Sequence, residues 1–416
     1  MTVLDQSGML NKKKADWLNN NLRLLFLGSA LSGISSGIFA VVFNLYILEI
    51  GISPELLGGV LSAGPFAQAI GSIPMAFLMQ RVGYKKVFLF IYGITTLGRL
   101  VQIATSNVTL MAAAAFGGGL AFAGDFVVRL PFMAANSAPE DRNKTYSISS
   151  IVYSVSMAGG ALFAGYVPNF IRPLAGAQLS AAYQITLLMA CIIAGIGVLP
   201  FFFITETKRP MSQPTSLAPY FWGMDRFTVQ QAVVSLFVGI GFGLITPFMN
   251  IYYVFHLGST REFFGVVSAL VIFPAMAATI LGPVLANKIG SVRIVTVLRM
   301  IIPVFVLTLA LTSNVWVGTF GYWGTSILMT MSQPLSFAFA MLVASPQTKP
   351  AAAAWLNVTF WLGVGLSAPL AGFFMARNNY QAPLMIAAGA LLLAGVINDV
   401  FFRPIELSIQ IKEIGV

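Results

Sequence analysis

Asp125 and Arg129, in the run "GDFVVRLPF", have the types and spacing best suited to chemistry in this sequence. Four residues apart, they share one face of a helix and can pair. Ionisable groups within a membrane-length apolar run are costly and are usually kept for a task. Three readings fit them: a structural pair that holds the second and fourth apolar runs together, a charge relay to Arg81, or a site that takes up and releases protons. Glu49 and His256 form a second couple, each at the end of an apolar run. A carboxylate beside an imidazole can make or break its contact as the imidazole titrates, which suits a gate. Equally, both can be solvated groups at an interface.

Other chemistry is scarce. His256 is the single histidine and Cys191 the single cysteine of 416 residues. That inventory offers no Cys/His metal cluster and disfavours Cys–His and Ser–His nucleophilic sites. No internal disulfide can form. There is no Walker A pattern, so ATP drive is not encoded here. The expectation is a protein that is not an enzyme, with no cofactor and no metal.

The elements that must position these residues follow from composition. Hydrophobic residues make up 57% of the chain and charged residues 9%, whereas soluble domains carry roughly 25% charged residues. A soluble globule needs a charged skin that this chain does not have. A helix crosses a bilayer with about 20 apolar residues. Twelve such stretches occur, at about 24–48, 56–79, 87–106, 109–133, 147–167, 180–204, 229–255, 263–286, 294–312, 315–343, 352–375 and 382–402. Lys12, Lys13 and Lys14 precede the first run. That run is too long for the 7–15-residue core of a signal peptide and has no small-residue cleavage site after it, so it reads as a retained span.

Basic residues set the orientation. Seventeen lie on the side of the two termini, three on the other side, and Arg99, Arg129 and Arg299 within spans. Both termini are therefore expected in the cytosol, in the plasma (prokaryotic inner) membrane. The net charge of +10 is then turned toward the anionic inner leaflet rather than toward nucleic acid.

The chain also repeats itself. "MQRVGYKKV" (79–87) aligns with "ANKIGSVRI" (286–294) at an offset of 207: Gln80 over Asn287, Arg81 over Lys288, Gly83 over Gly290. Asn44 and Tyr46 match Asn250 and Tyr252 at 206, and one inserted residue later Gly51, Glu55 and Gly58 match Gly258, Glu262 and Gly265 at 207. Gly165 matches Gly372. Six spans repeated in one orientation predict two bundles related by an axis along the membrane normal, free to rock about a midplane cavity. The expected fold is an all-α polytopic membrane protein, with twelve transmembrane helices in two six-helix bundles. Its parts would be a cytosolic segment 1–23, a bundle 24–204, a cytosolic loop 205–228, a bundle 229–403 and a cytosolic tail 404–416.

On this pattern the sequence resembles the major facilitator superfamily over its whole length. The family's basic turn between spans two and three reads Gly-x-x-x-Asp-Arg-x-Gly-Arg-Lys. Arg81, Gly83 and Lys85 match it, while Ala76, Gln80 and Tyr84 depart from it. In the second copy Asn287, Lys288 and Gly290 take the corresponding places. The resemblance implies that the turn steadies one state of the transport cycle. With amides at Gln80 and Asn287 where an acid is usual, a softer latch is expected. Span five has Gly159, Gly160 and Gly165 but lacks the proline of the antiporter signature.

The resemblance also implies a cavity lined by spans one, four, seven and ten, with help from two, five, eight and eleven, and peripheral spans three and nine. Arg299 in span nine would then snorkel or meet lipid headgroups. Polar candidates for the cavity are Ser32, Ser36, Asn44, Gln68, Tyr153, Asn250, Gln333, Asn357 and Trp361. So few charges suit an apolar, amphipathic or weakly cationic small molecule. The leading expectation is a monomeric secondary transporter that exports such molecules in exchange for protons. Uptake of a neutral solute such as a sugar is the nearest alternative. A lipid flippase on the same scaffold is a third.

Overall fold

A computed structural model describes residues 18–174, 176, 178–205, 224–345 and 348–414, without the side chains of 76, 77, 79, 80, 126, 127, 350 and 409–414. The Gln80 side chain, the lysine triplet at 12–14 and most of the central loop thus lie outside the described residues. Twelve helices among those described are long and apolar enough to cross a membrane. They are α1 (Asn20–Glu49), α2 (Pro54–Val82), α3 (Tyr84–Ala104), α4 (Val108–Ala135), α5 (Arg142–Ile171) and α6 (Leu179–Phe202). The second six are α7 (Arg226–His256), α8 (Arg261–Ile289), α9 (Ser291–Leu311), α10 (Val315–Val343), α11 (Lys349–Met375) and α12 (Gln381–Ile414).

Short polar residues start many of the spans by accepting from orphan backbone amides. Asn19, Asn107, Asp225, Thr260 and Asn314 cap α1, α4, α7, α8 and α10 in this way. Large apolar side chains point outward along the spans, among them Phe170, Ile280 and Val304. That surface is suited to lipid rather than water.

Packing is the same in both bundles. In the first, α1 packs on α5 and α6, α2 on α4, and α3 on α4 and α6. In the second, α7 packs on α11 and α12, α8 on α10, and α9 on α10 and α12. The bundles meet through α2 against α11 and α5 against α8, which are one contact repeated by the pseudo-two-fold. A hydrogen bond repeats as well. The Tyr46 hydroxyl donates to the Ile103 carbonyl (3.1 Å), and that of Tyr252 to the Leu309 carbonyl.

Two differences from the sequence expectations have clear causes. The offset that changes from 206 to 207 requires one extra residue in α7, and a π turn at Tyr252–His256 absorbs it. A π turn is the way a helix accommodates a single insertion. The span expected at 382–402 runs on as helix to Ile414, so the segment expected as a tail from 404 continues α12. Pro404 lies inside this helix without ending it, and residues 405–414 contain no glycine or further proline.

Candidate functional site

One end of the molecule, where α1 begins and α12 ends, carries the basic turns and is called the basic face. Gly83 (φ 86°) and Gly290 (φ 97°) make those turns. Positive φ strains any side chain with a Cβ, so glycine is required at both. Arg81 is exposed and Lys85 half-buried at the first turn, while Asn287 and Lys288 are exposed at the second. The second turn has a feature the sequence reading missed. Glu406, on the extension of α12, accepts from the amides of Val292 (2.8 Å) and Arg293 (3.2 Å). A carboxylate is thus bound at the positive end of α9.

Away from the basic face the bundles are sealed together. Asn44 of α1 donates to the Asn250 Oδ1 of α7 (3.0 Å), and Asn250 donates back to the Val41 carbonyl (3.0 Å). Asn44 also donates to the carbonyl of Pro247, where the helical pattern of α7 is broken by a 3₁₀ turn at Thr246–Phe248. Both asparagines were expected in the cavity. They lie in the seal instead, because two matched amides on the pseudo-axis satisfy one another. Beyond them Arg261 of α8 donates to Asn169 of α5 and to the Tyr183 hydroxyl of α6 (2.9 Å), and Asn169 donates to Glu262. Glycines let the backbones touch: a Cβ on Gly58 would come within 2.8 Å of the Ala368 carbonyl, and one on Gly265 within 2.9 Å of the Ala161 carbonyl.

Glu49 and His256 are not brought together. Glu49 is exposed and lines a vestibule of about 790 Å³ on this far side, with Tyr183, Arg261 and Glu262. His256 turns aside between the rings of Tyr252 and Tyr380, with centroids at 4.9 and 5.3 Å. The π turn that ends α7 sets this separate direction.

Every hydrogen bond and ion pair resolved between described residues of the two bundles lies in the far half. In the basic half they enclose a cavity of about 550 Å³. Gln68, Tyr153, Gln333, Asn357 and Trp361 of the sequence candidates line it, joined by Ser149, Gln231 and Ser235. Ser32 and Ser36 are not in the lining. Ser32 is buried, and Ser36 accepts from Arg99 (3.1 Å), whose other amine reaches Ser35 (2.8 Å). The polar side of α1 is thus used inside its own bundle, which removes α1 from the cavity wall.

Asp125 and Arg129 stand at the wall. Arg129 Nε reaches Asp125 Oδ2 and Nη2 reaches Oδ1, each at 3.0 Å, a two-pronged pairing that fixes both side chains. The Tyr92 hydroxyl of α3 donates to Asp125 (2.8 Å) and accepts from Arg129. Arg129 also reaches Ser29 of α1 (2.6 Å). The pair therefore ties α4 to α1 and α3; Tyr92 and Ser29 occupy the places for which α2 and Arg81 were expected.

Arg299 departs most from the expectation. It does not snorkel: only 4% of its surface is exposed, and it lines the cavity. It donates to Asn398 of α12 (2.9 Å) and Ser336 of α10 (2.8 Å). The repeat offset was a signal for it, since Arg299 stands over Tyr92 and Ser336 over Arg129.

The sequence matches the profile of the Major Facilitator Superfamily over residues 25–229 and 231–409. The chain belongs to that superfamily. No curated protein matches it. Among solved structures, a mutant of the nucleoside transporter NupG is similar, with a TM-score of 0.74 at 13% identity, covering 92% of this chain and all of that one. A D-xylose–proton symporter gives 0.71 at 14%, covering 92% and 97%. The human organic anion transporter MFSD10 gives 0.66 at 14%, covering 91% and 99%. At such identities the likeness is one of fold. This superfamily member is a multi-pass membrane protein and a secondary transporter of a small molecule.

Proposed function

We propose that this chain moves small amphipathic organic molecules by alternating access, coupled to protons and in the direction of export. Its cavity would open to the cytosol, taken as the side of the basic face because seventeen cations flank the spans there. The observation that carries the reading is a cavity of about 550 Å³ in one half of the molecule beneath a sealed far half. Aromatic side chains and neutral amides line it, as an amphipathic ligand needs. Asp125 is the proposed proton site, since protonation would weaken its hold on Arg129 and so loosen the network that ties α4 to α1 and α3. A weakly cationic ligand finds no free carboxylate in this lining, where Arg129 already holds Asp125.

A second reading, uptake of a neutral solute, is favoured by the amides Gln68, Gln231, Gln333 and Asn357 in the lining, and by likeness to a D-xylose–proton symporter. Reconstituted protein under an imposed pH gradient, offered a panel of labelled amphiphiles and sugars, separates the two. Asp125→Asn should abolish accumulation driven by the gradient while leaving exchange down a substrate gradient. Undiminished gradient-driven accumulation in that variant would sink the proton-site assignment. The basic turns are proposed to act as latches when the cytosolic side closes. Gln80→Asp should slow switching, and unchanged kinetics would leave the turn a topology marker only.

A further inference from the structure

Charge in the cavity wall does not balance. Asp125, Arg129 and Arg299 are the acidic and basic residues of its described lining. Asp125 and Arg129 cancel each other at 2.9 Å. Arg299 has no carboxylate within ion-pair distance among the described residues. Its two partners, Asn398 and Ser336, are neutral, and its Nε is buried with no acceptor. Asn398 is itself fixed by donating to Thr296 (2.9 Å), and Ser336 by donating to the Ser332 carbonyl (3.0 Å). The guanidinium is thus held in place on three helices, with its charge unmatched.

A buried cation without a counter-charge is strongly penalised, and one held at the wall of a cavity gains most from an anion that enters it. We infer that the cavity binds an amphipathic organic monoanion, its acidic group drawn to Arg299 and its apolar body set against Phe360 and Trp361. Those two rings pack edge to face at 5.2 Å in the same lining. One unmatched positive charge suits a carboxylate or sulfonate and leaves a dianion half-compensated. A cation would meet Arg299 with no acid to offset it. A neutral ligand would leave Arg299 as it is. This inference deepens the substrate class of the proposed transporter and rests on the cavity being the substrate site.

Three near-isosteric probes test it: 4-phenylbutyrate, 4-phenylbutyramide and 4-phenylbutylamine, with binding to the purified full chain measured by calorimetry. The carboxylate should bind at least about tenfold tighter than the amide, the gain of a charge-assisted pair over a neutral one, and the amine weakest. Arg299→Gln should remove that preference, and Arg299→Lys should keep part of it. Amide or amine binding as tight as carboxylate in the wild type overturns the inference, and needs no variant to fold. So does an Arg299→Gln protein that keeps the carboxylate preference. Transport is then read separately in vesicles. Carboxylate that binds with this pattern but is never moved leaves the anion site standing and sinks the reading of this cavity as the substrate site. A neutral or amine probe that is moved, with no carboxylate bound, does the reverse.

Discussion

The first bundle puts a guanidinium at the cavity wall from α4, at Arg129, and the second from α9, at Arg299. By the repeat offset, Tyr92, Asp125 and Arg129 correspond to Arg299, Ser332 and Ser336. In both bundles an equivalent hydrogen bond joins the third helix of the bundle to the fourth, with donor and acceptor exchanged: Arg129 to Tyr92, and Arg299 to Ser336. The acid exists on one side only. At the cavity wall geometry is conserved across the pseudo-axis while charge is not, so the first bundle's share of the wall is electrically closed and the second's is left waiting for a partner. The far-side seal follows the opposite rule. Gly58 against α11 and Gly265 against α5 are equivalent positions making equivalent contacts. The scaffold is symmetric where it must close and asymmetric where it must choose.

The sharpest way to break this comparison is to remove the acid. Asp125→Asn leaves Arg129 buried without its counter-charge, and breaking such a pair costs about 3–5 kcal/mol. Ser332→Ala at the equivalent place removes one neutral hydrogen bond, to the Met329 carbonyl, and should cost about 1 kcal/mol or less. Denaturant unfolding of the two variants should differ accordingly. Similar losses would mean that the two positions are not electrically distinct.

Next in size is the seal. Leucine at Gly58 or Gly265 overpacks a backbone contact, which typically costs 1–3 kcal/mol. That should depopulate the far-side-closed state by about fivefold or more, and to the same extent from either bundle. Gly59→Leu, where an added Cβ meets no atom within 4 Å, is the matched control. Accessibility of a cysteine placed in the far vestibule, read by maleimide labelling, measures the shift. A large effect from one bundle alone would break the claimed symmetry.

Ser332→Asp is a gentler test, giving the second bundle the acid that the first has. It should neutralise Arg299 and reduce the carboxylate-over-amide preference about tenfold, as measured by calorimetry. A preference that survives would place the anion elsewhere. Smallest is Glu406→Gln. Loss of a charge at the start of α9 costs typically 0.3–1 kcal/mol. It should lower the melting temperature slightly, as read by thermal unfolding of the purified protein; an unchanged melting temperature would mean that the carboxylate does not steady the second turn.

The architecture could be read from the chain because spans announce themselves by length and hydropathy, and because Gly83 and Gly290 mark the same turn twice. The one-residue change of offset near Tyr252 even carried the π turn, although only the structure shows the helix absorbing it there. The cavity was less legible. Gln68, Tyr153, Gln333, Asn357 and Trp361 line it, but a polar residue within a span has several faces open to it. Asn44 and Asn250 turned to each other, and Ser36 turned to Arg99. Rotation of a helix about its own axis decides which polar side chains meet the cavity, and no spacing within one helix fixes that rotation. Arg299 was misplaced because its span was expected to be peripheral. Comparing the halves residue by residue would have set it over Tyr92, beside the wall.

The helical extension of α12 has a further use. Glu406 fastens it to the turn between α8 and α9, so the last residues of the helix are coupled to the second bundle. From Arg403 to Ile414 the helix runs roughly 16 Å at 1.5 Å per residue. It therefore acts as a pointer fixed to the second bundle, and a small tilt of that bundle becomes a larger sweep at its tip. A spin label or dye near Ile414, paired with one on the first bundle, would turn each transport cycle into a distance signal without touching the cavity.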